Sequence, residues 1–429
     1  MKLDATQKKV FLTLFSIGLI ANLDKGMIGA ISPYLADAEY MANLGLPALD
    51  RVQIGNLTSF YYVTFIVMTF VAGWFVDKFG YKLFVPIALS LLVIGDLLFG
   101  VAGVIGGAAY AVMILIARMI VGFGQAGYTN GTPPIIAKNF SQEQRGGVQG
   151  KVVATAGIGT ILVYLIFQPF IISQDFRIAY WILAALFAVC VVMFITLVPG
   201  SPKQAAEAGS AEAAAAAAPK KDVKITDGWK NRNVLVLALT LLLNNLVGVG
   251  LLTWANIMYV ETFAPSATEL TIVMVGYGIT LLIATWTAAD VIKKFFAGKE
   301  KQFMLLMAVL GAIFLVGTVM VPNFLDGAAG FWGSAICLWL ANMAIMWAFG
   351  VILLLPYQTI PIRIIGSAFA VINIGAFVGG IVQGSGIGAL AEATGGYTVP
   401  FIVLGALLLV SGLVPFLLQN KTPEELAAG

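Results

Sequence analysis

Four ionisable side chains fall where a lipid-spanning helix has no ordinary use for them. Asp24 and Lys25 are neighbours in the run Asn22-Leu23-Asp24-Lys25, Arg118 opens the run Arg118-Met-Ile-Val-Gly122-Phe-Gly124-Gln125-Ala126, and Asp96 sits in a third apolar stretch. A charge at mid-bilayer costs from about 2.5 kcal/mol on insertion scales to over about 10 in simulations, so each should face an interior and meet a partner. Arg118, Gly122 and Gln125 recur at i, i+4 and i+7 and share one helix face, whereas Asp24 and Lys25 point about 100° apart. Lys25 and Arg118 together outnumber Asp24 by one positive charge, and Asp96 lies toward the outer half of its own span. A central cavity of that character suits an anion, which Lys25 would touch. The competing readings are a Lys25 that snorkels or only holds the fold, and an Arg118 bonded to backbone carbonyls.

A second constellation is the short polar stretch Gly73-Trp-Phe-Val-Asp77-Lys78-Phe-Gly80-Tyr-Lys82. Gly73 lets the end of one helix approach a neighbour closely. Asp77 can cap the amino end of another helix or pair with a cation on it, and Gly80 permits a tight reversal. Gly73, Asp77, Lys78 and Gly80 are therefore expected to govern conformational switching rather than ligand choice. The stretch Asp290-Val-Ile-Lys293-Lys294 is a degenerate copy at the equivalent place in the second half.

The elements that must position these residues follow from composition. Apolar residues make up 60% of the chain and charged residues 10%, against about 45–50% and about 25% in a soluble domain. The surplus must face lipid. Apolar runs near the roughly 20 residues that cross a bilayer recur along the chain. They fall at 10–35, 53–76, 83–104, 109–137, 148–172 and 178–198, then at 232–260, 268–289, 301–321, 330–355, 364–391 and 397–419. The expected fold is an all-α membrane protein of twelve transmembrane helices in two six-helix halves. The halves are expected at 1–198 and 232–420, joined by a cytoplasmic linker at 199–231 and followed by a cytoplasmic tail at 421–429. The linker carries the alanine run Ala213–Ala218, Pro219 and several lysines, a composition that supports no core.

Charge sets the orientation. With the amino terminus inside, all of the 24 Lys and Arg fall in cytoplasmic loops except Arg51 and Arg177 in outer loops and Lys25 and Arg118 within spans. That asymmetry places both termini in the cytoplasm. The first apolar run is span-length and charged, so no cleavable signal is expected. Cys190 and Cys337 each sit in apolar runs and read as packing residues, and there is no histidine, so neither a disulfide framework, a metal site nor a cofactor is expected. A net charge of +3 is too small to suggest nucleic acid.

Six spans and six, in halves of near-equal length, are the parallel-repeat signature of a major facilitator type transporter. The loop at 73–82 resembles that superfamily's G-x-x-x-D-[RK]-x-G-[RK]-[RK] signature, departing at Tyr81. A narrower resemblance lies in Asn22-x-x-Asp24-Lys25 and Arg118-x-x-x-Gly122-x-Gly124-Gln125-Ala126, with the span-eleven stretch from Ile364 through Asn373 to Gly380. Together they look like the anion:cation symporter branch, whose members move sugar acids, other organic carboxylates and sialic acid, generally with protons. That resemblance implies a proton-titrating Asp24, a substrate-carboxylate contact at Lys25, a coupling partner in Arg118 and a hydroxyl contact at Asn373. Asn22, Gln125 and Tyr62 complete the expected substrate-binding set. The chain departs from the branch where Lys25 replaces an arginine, Gln125 a glutamate, and Phe65 and Val71 a tyrosine and a proline. Lysine lacks the bidentate fork, and Gln125 cannot titrate.

The function expected is proton-coupled movement of a small organic anion by alternating access, by a monomer in the cytoplasmic membrane. An exchanger or exporter without proton coupling, and a drug–proton antiporter, remain alternatives. Against organophosphate exchange stands the absence of Lys or Arg in span seven after Arg232; against a drug antiporter, a span five without proline until Pro169. No Ser/His pair, paired Asp or metal cluster suggests an enzyme, and no charged or carbonyl ring suggests a channel. Asn244, Asn245, Trp254, Asn256, Trp286, Asn342, Trp347, Tyr164 and Gln168 are further candidates to line a cavity.

Overall fold

A computed structural model of the protein describes residues 3–173, 175–200, 229–361 and 364–419. The expected linker lies almost wholly, and the expected tail wholly, outside the described residues. The structure is an all-α membrane protein of twelve spans in two six-helix halves. The first half comprises α1 (Ala5–Ala36), α2 (Arg51–Phe79), α3 (Tyr81–Ile105), α4 (Tyr110–Asn139), α5 (Gln142–Leu162) and α6 (Phe176–Leu197). The second comprises α7 (Arg232–Phe263), α8 (Ala267–Phe295), α9 (Glu300–Met320), α10 (Gly327–Thr359), α11 (Ile365–Thr394) and α12 (Thr398–Leu413). With an even number of spans, Leu3 and Gln419 share one side, the terminal face. The loops bearing Arg51 and Arg177 lie on the opposite, distal face.

Local chemistry starts and stops the helices where it should. Asp4 caps α1, accepting from the Gln7 amide at 2.7 Å while the Gln7 side chain accepts from the Asp4 amide. Ser266 and Glu269 form the same reciprocal box at α8. Such boxes satisfy backbone donors that the first helical turn leaves free. Gly80 turns the chain from α2 into α3 at φ 76°, a conformation costly for any side chain with a Cβ. Large apolar residues such as Val104, Val192, Ile313 and Leu413 stay exposed on the outside of the bundle, as a lipid-facing surface requires. Beyond Leu162, α5 widens through a π-turn at Val163–Phe167 before Gln168–Ser173 resumes α-geometry.

The halves meet along α2 and α11, α1 and α7, and α5 and α8. Between α2 and α11 the backbones touch: a methyl group on Gly384 would collide with the Gly55 carbonyl and the Ser59 hydroxyl, and one on Gly55 with the Gly384 carbonyl. Hydrogen bonds lace this seam. Ser59 Oγ donates to the Ile381 carbonyl at 2.6 Å, Ser385 Oγ donates to Asn56 Oδ1 at 2.7 Å, and the Ser385 amide donates to Ser59 Oγ at 2.9 Å. Asn256 Nδ2 of α7 donates to the Gly29 carbonyl of α1 at 2.9 Å, and Gln168 Nε2 donates to Asn256 Oδ1 at 3.1 Å. At the distal rim Arg51 pairs with Glu261 at 2.6 Å and with Glu392 at 3.5 Å. Among the described residues, the hydrogen bonds and ion pairs that join the halves lie from the middle of the bundle to the distal face.

Toward the terminal face the seam ends in an aromatic layer. Phe65 of α2 and Phe377 of α11 stand 4.7 Å apart, with Tyr62 packed against both. One turn further along the same face of α11, Asn373 is exposed. The space between the halves is shut on the distal side.

Candidate functional site

Just distal to that layer, Lys25, Ile28 and Gly29 of α1, Thr58, Tyr61 and Tyr62 of α2, Arg118 of α4, and Val249, Leu252 and Thr253 of α7 line a cavity between the halves. Its volume is about 10 Å³, the room of a single water. An organic anion of even a few heavy atoms needs the halves to part before it fits. The lining is unequal: the first half supplies both cations and most of the hydroxyls, the second an apolar wall with one threonine.

Arg118 is buried, 1% exposed, and holds Asp24, 0% exposed, through a 3.0 Å bond from one terminal nitrogen to Oδ1. Its guanidinium also lies 5.1 Å from the centre of the Tyr61 ring, a cation–π contact. Such a pair, once out of water, is costly to break by removing either member. Lys25, one residue on, points elsewhere. It is partly exposed, its ammonium stands 5.9 Å over the Tyr62 ring, and no hydrogen bond or ion pair engages it among the described residues. Local spacing explains the division: adjacent helical positions diverge by about 100°, so one residue serves the interior of its own half and the next serves the cavity.

Of the other expected site residues, Tyr62 lines the cavity. Asn22 is half-buried and donates to the Gly18 carbonyl at 2.8 Å and to Thr155 Oγ1 at 3.0 Å, joining α1 to α5. Gln125 donates from Nε2 to the Ala21 carbonyl at 3.0 Å and ties α4 to α1. Neither is in the cavity lining. Asn373 lies beyond the aromatic layer, away from Lys25. The side chains of Gly73, Asp77 and Lys78 lie outside the described residues.

The remaining polar candidates divide by neighbour. Asn342 and Trp347 bond to the Tyr277 carbonyl and Thr287 Oγ1 within the second half, Asn245 bonds to the Ala376 carbonyl, and Trp286 is 66% exposed on the outside. Tyr164 and Trp254 are buried packing residues whose polar atoms have no partner among the described residues. Two residues outside the expected binding set belong to this region. Thr58 lines the cavity with a buried hydroxyl that bonds to no described residue; nothing in a run of ordinary span composition marks it. Asp96, expected near the outer half of its span, is fully buried in electrostatic contact with Asp24 and Arg118. Its charge was the signal, and only the packing of α3 on α4 brings it to them.

Arg118→Lys is expected to keep the charge but lose the planar fork that reaches Asp24 and lies over Tyr61. Transport should fall at least about tenfold, the effect of ~1.4 kcal/mol, while the amount of folded protein in the membrane holds. Equal transport by the lysine variant would show that only the charge matters.

Comparison with known proteins agrees in fold and in kind. The sequence profile of the Major Facilitator Superfamily matches residues 14–384. A probable sulfoacetate transporter of Cupriavidus necator is 24% identical over 95% of this chain and 94% of its own length. A hexuronate transporter of Bacillus subtilis is 21% identical over 94% and 92%. Among solved structures, a D-xylose–proton symporter superposes with a TM-score of 0.78 at 17% identity, covering 97% of this chain and 98% of that one. An inward-open xylose transporter of E. coli does so with a TM-score of 0.73 at 18% identity, covering 97% and 98%. At those identities the likeness to the solved structures is one of fold.

Proposed function

We propose, from the premise that the chain belongs to the Major Facilitator Superfamily and is a membrane transporter rather than an enzyme, that it carries a small organic monoanion across the cytoplasmic membrane together with one proton. The anion is a sugar acid or another carboxylate or sulfonate, and the carrier works as a monomer by alternating access. The observation that carries this reading is Lys25: a cation facing the cavity between the halves, unpaired among the described residues, while the other buried cation is engaged by Asp24. An ammonium beside the hydroxyls of Thr58 and Thr253 recognises a charged oxygen group on a hydroxylated body. The wall from α7 offers Val249, Leu252 and Thr253 and no second cation, which favours a single negative charge over a phosphate ester. That two similar proteins are named for sulfoacetate and hexuronate supports the class.

The terminal face is cytoplasmic by the distribution of Lys and Arg. The closed distal seam then corresponds to a carrier shut to the outside. Charge balance supplies the coupling. Lys25, Arg118, Asp24 and Asp96 cancel when all are ionised. A bound monoanion leaves one negative charge too many, and a proton on a carboxylate restores neutrality.

Such a cycle moves no net charge. In proteoliposomes offered hexuronates, sulfoacetate and aliphatic or aromatic carboxylates, uptake should follow a pH gradient, worth ~1.4 kcal/mol per unit. It should ignore a potassium–valinomycin potential, worth ~2.3 kcal/mol per net charge per 100 mV. Accumulation that tracks the potential overturns the one-proton count. Gradient-driven accumulation retained by Asp24→Asn removes coupling through α1, and uptake driven only by internal anion makes the protein an exchanger.

A further inference from the structure

Asp96 projects from α3 into the sealed interior of the first half and is 0% exposed. Asp24 of α1 and Arg118 of α4 face it, Tyr61 of α2 and Tyr180 of α6 border the same cluster, and Tyr110 of α4 lies beyond Tyr180. The hydrogen bonding there is incomplete. Arg118 donates to Asp24 Oδ1, but Asp24 Oδ2 and both carboxylate oxygens of Asp96 accept nothing from a described residue, and Arg118 Nε and the Tyr180 hydroxyl donate nothing. Two buried carboxylates therefore interact with one guanidinium, and three of their four oxygens accept no hydrogen bond from a described residue.

We propose that Asp96 and Asp24 hold the transported proton jointly, as a carboxyl–carboxylate pair braced by Arg118. With Lys25 free, the two carboxylates are matched by two cations. An anion seated on Lys25 leaves them with Arg118 alone, and a surplus buried charge is strongly unfavourable. One proton from the outside forms an O–H bond on one carboxylate, and that hydroxyl donates to the other. On the cytoplasmic side the anion leaves Lys25, the O–H bond breaks, the proton passes to water and two carboxylates remain. Arg118 and Tyr61 line both the cluster and the cavity, so they are the partition through which anion and proton sense one another. Asp96 is thus a proton-holding residue that never touches the anion. The proposal rests on the symport reading.

Asp96→Asn, reconstituted and supplied with sulfoacetate or glucuronate, tests it. An electroneutral one-proton cycle under one pH unit accumulates about tenfold. The asparagine variant should fall to a ratio near one and lose the pH dependence of uptake, while exchange of internal for external anion falls far less. Asp96→Glu, which keeps a carboxyl, should recover accumulation at a shifted pH midpoint. Accumulation by Asp96→Asn equal to wild type, with the same pH profile, overturns the proposal and leaves the proton on Asp24 alone. If neither variant reaches the membrane, the infrared difference spectrum of purified wild-type protein, with and without anion, decides. A broad, downshifted carboxyl band supports a shared proton, and a sharp band of an isolated carboxyl overturns it. Should wild-type uptake ignore the pH gradient, the symport reading fails by itself. A shared-proton band appearing in a pH titration then keeps the pair, and its absence removes it.

Discussion

Lys25→Ala is expected to weaken binding of a carboxylate or sulfonate anion by about 30-fold to a few thousandfold, with folding intact. Removing one partner of a buried, hydrogen-bonded charge pair costs about 2–5 kcal/mol, and ~1.4 kcal/mol is a factor of ten. The loss should be this large because the cavity offers no other free cation: Arg118 is the second one in its lining, and its bond to Asp24 already engages it. Folding should tolerate the change because the ammonium makes no ion pair among the described residues and only lies over Tyr62. Titration calorimetry on the purified variants, beside a thermal melt, measures both. Lys25→Arg keeps the charge and adds the fork, so it should bind the same anions at least as well where the guanidinium fits. Unchanged affinity in the alanine variant would remove Lys25 from the site.

The second large effect should come from the seam. Gly384→Leu pushes a side chain into the Gly55 carbonyl and Ser59, where even a methyl group collides. Overpacking of this kind costs about 1–3 kcal/mol, and here the cost falls on the state in which α2 and α11 touch. The balance between states should shift about 5- to 150-fold toward distal opening. A cysteine introduced at Thr58, in the cavity lining, reports the shift: a membrane-impermeant thiol reagent added outside should label it far faster in the Gly384→Leu background, while transport slows. Cys190 is buried, and omitting the introduced cysteine measures any contribution of the half-buried Cys337. Equal labelling and equal transport would show that the two helices have slack to spare.

The twelve spans were legible because span length, apolar runs and charge breaks are written locally in the chain. So was the divergence of Asp24 and Lys25 onto different helix faces, which follows from their being helical neighbours. What the sequence hides is which spans pack together. Asp96 was visible as a buried charge, but its meeting with Asp24 and Arg118 depends on the packing of α3 against α4, where Gly95 lets the backbones approach. Asn256 read as one more polar residue in a span, yet it bonds to α1 and α5 at once, helped by the π-turn that precedes Gln168. Asn373 shows the converse. The span-eleven stretch that contains it resembles an anion symporter's, and in this conformation Phe377 and the aromatic layer stand between it and Lys25.

The distal seam also says how hard the carrier is to reset. Nearly every fastening across it is neutral: serine, asparagine and glutamine side chains bonded to one another or to backbone carbonyls. Interhelical bonds at membrane depth average only ~0.6 kcal/mol each. Among the described residues the one ion-paired cluster across it, around Arg51, sits at the rim with its groups partly exposed, where such pairs contribute about 0–1 kcal/mol and salt screens them. A clasp of these parts sums to a few kcal/mol, within reach of thermal motion. A deep electrostatic lock would hold the distal side shut and stall the return stroke. This one lets go easily, so the two orientations stay close in free energy and the occupant of the cavity tips the scale.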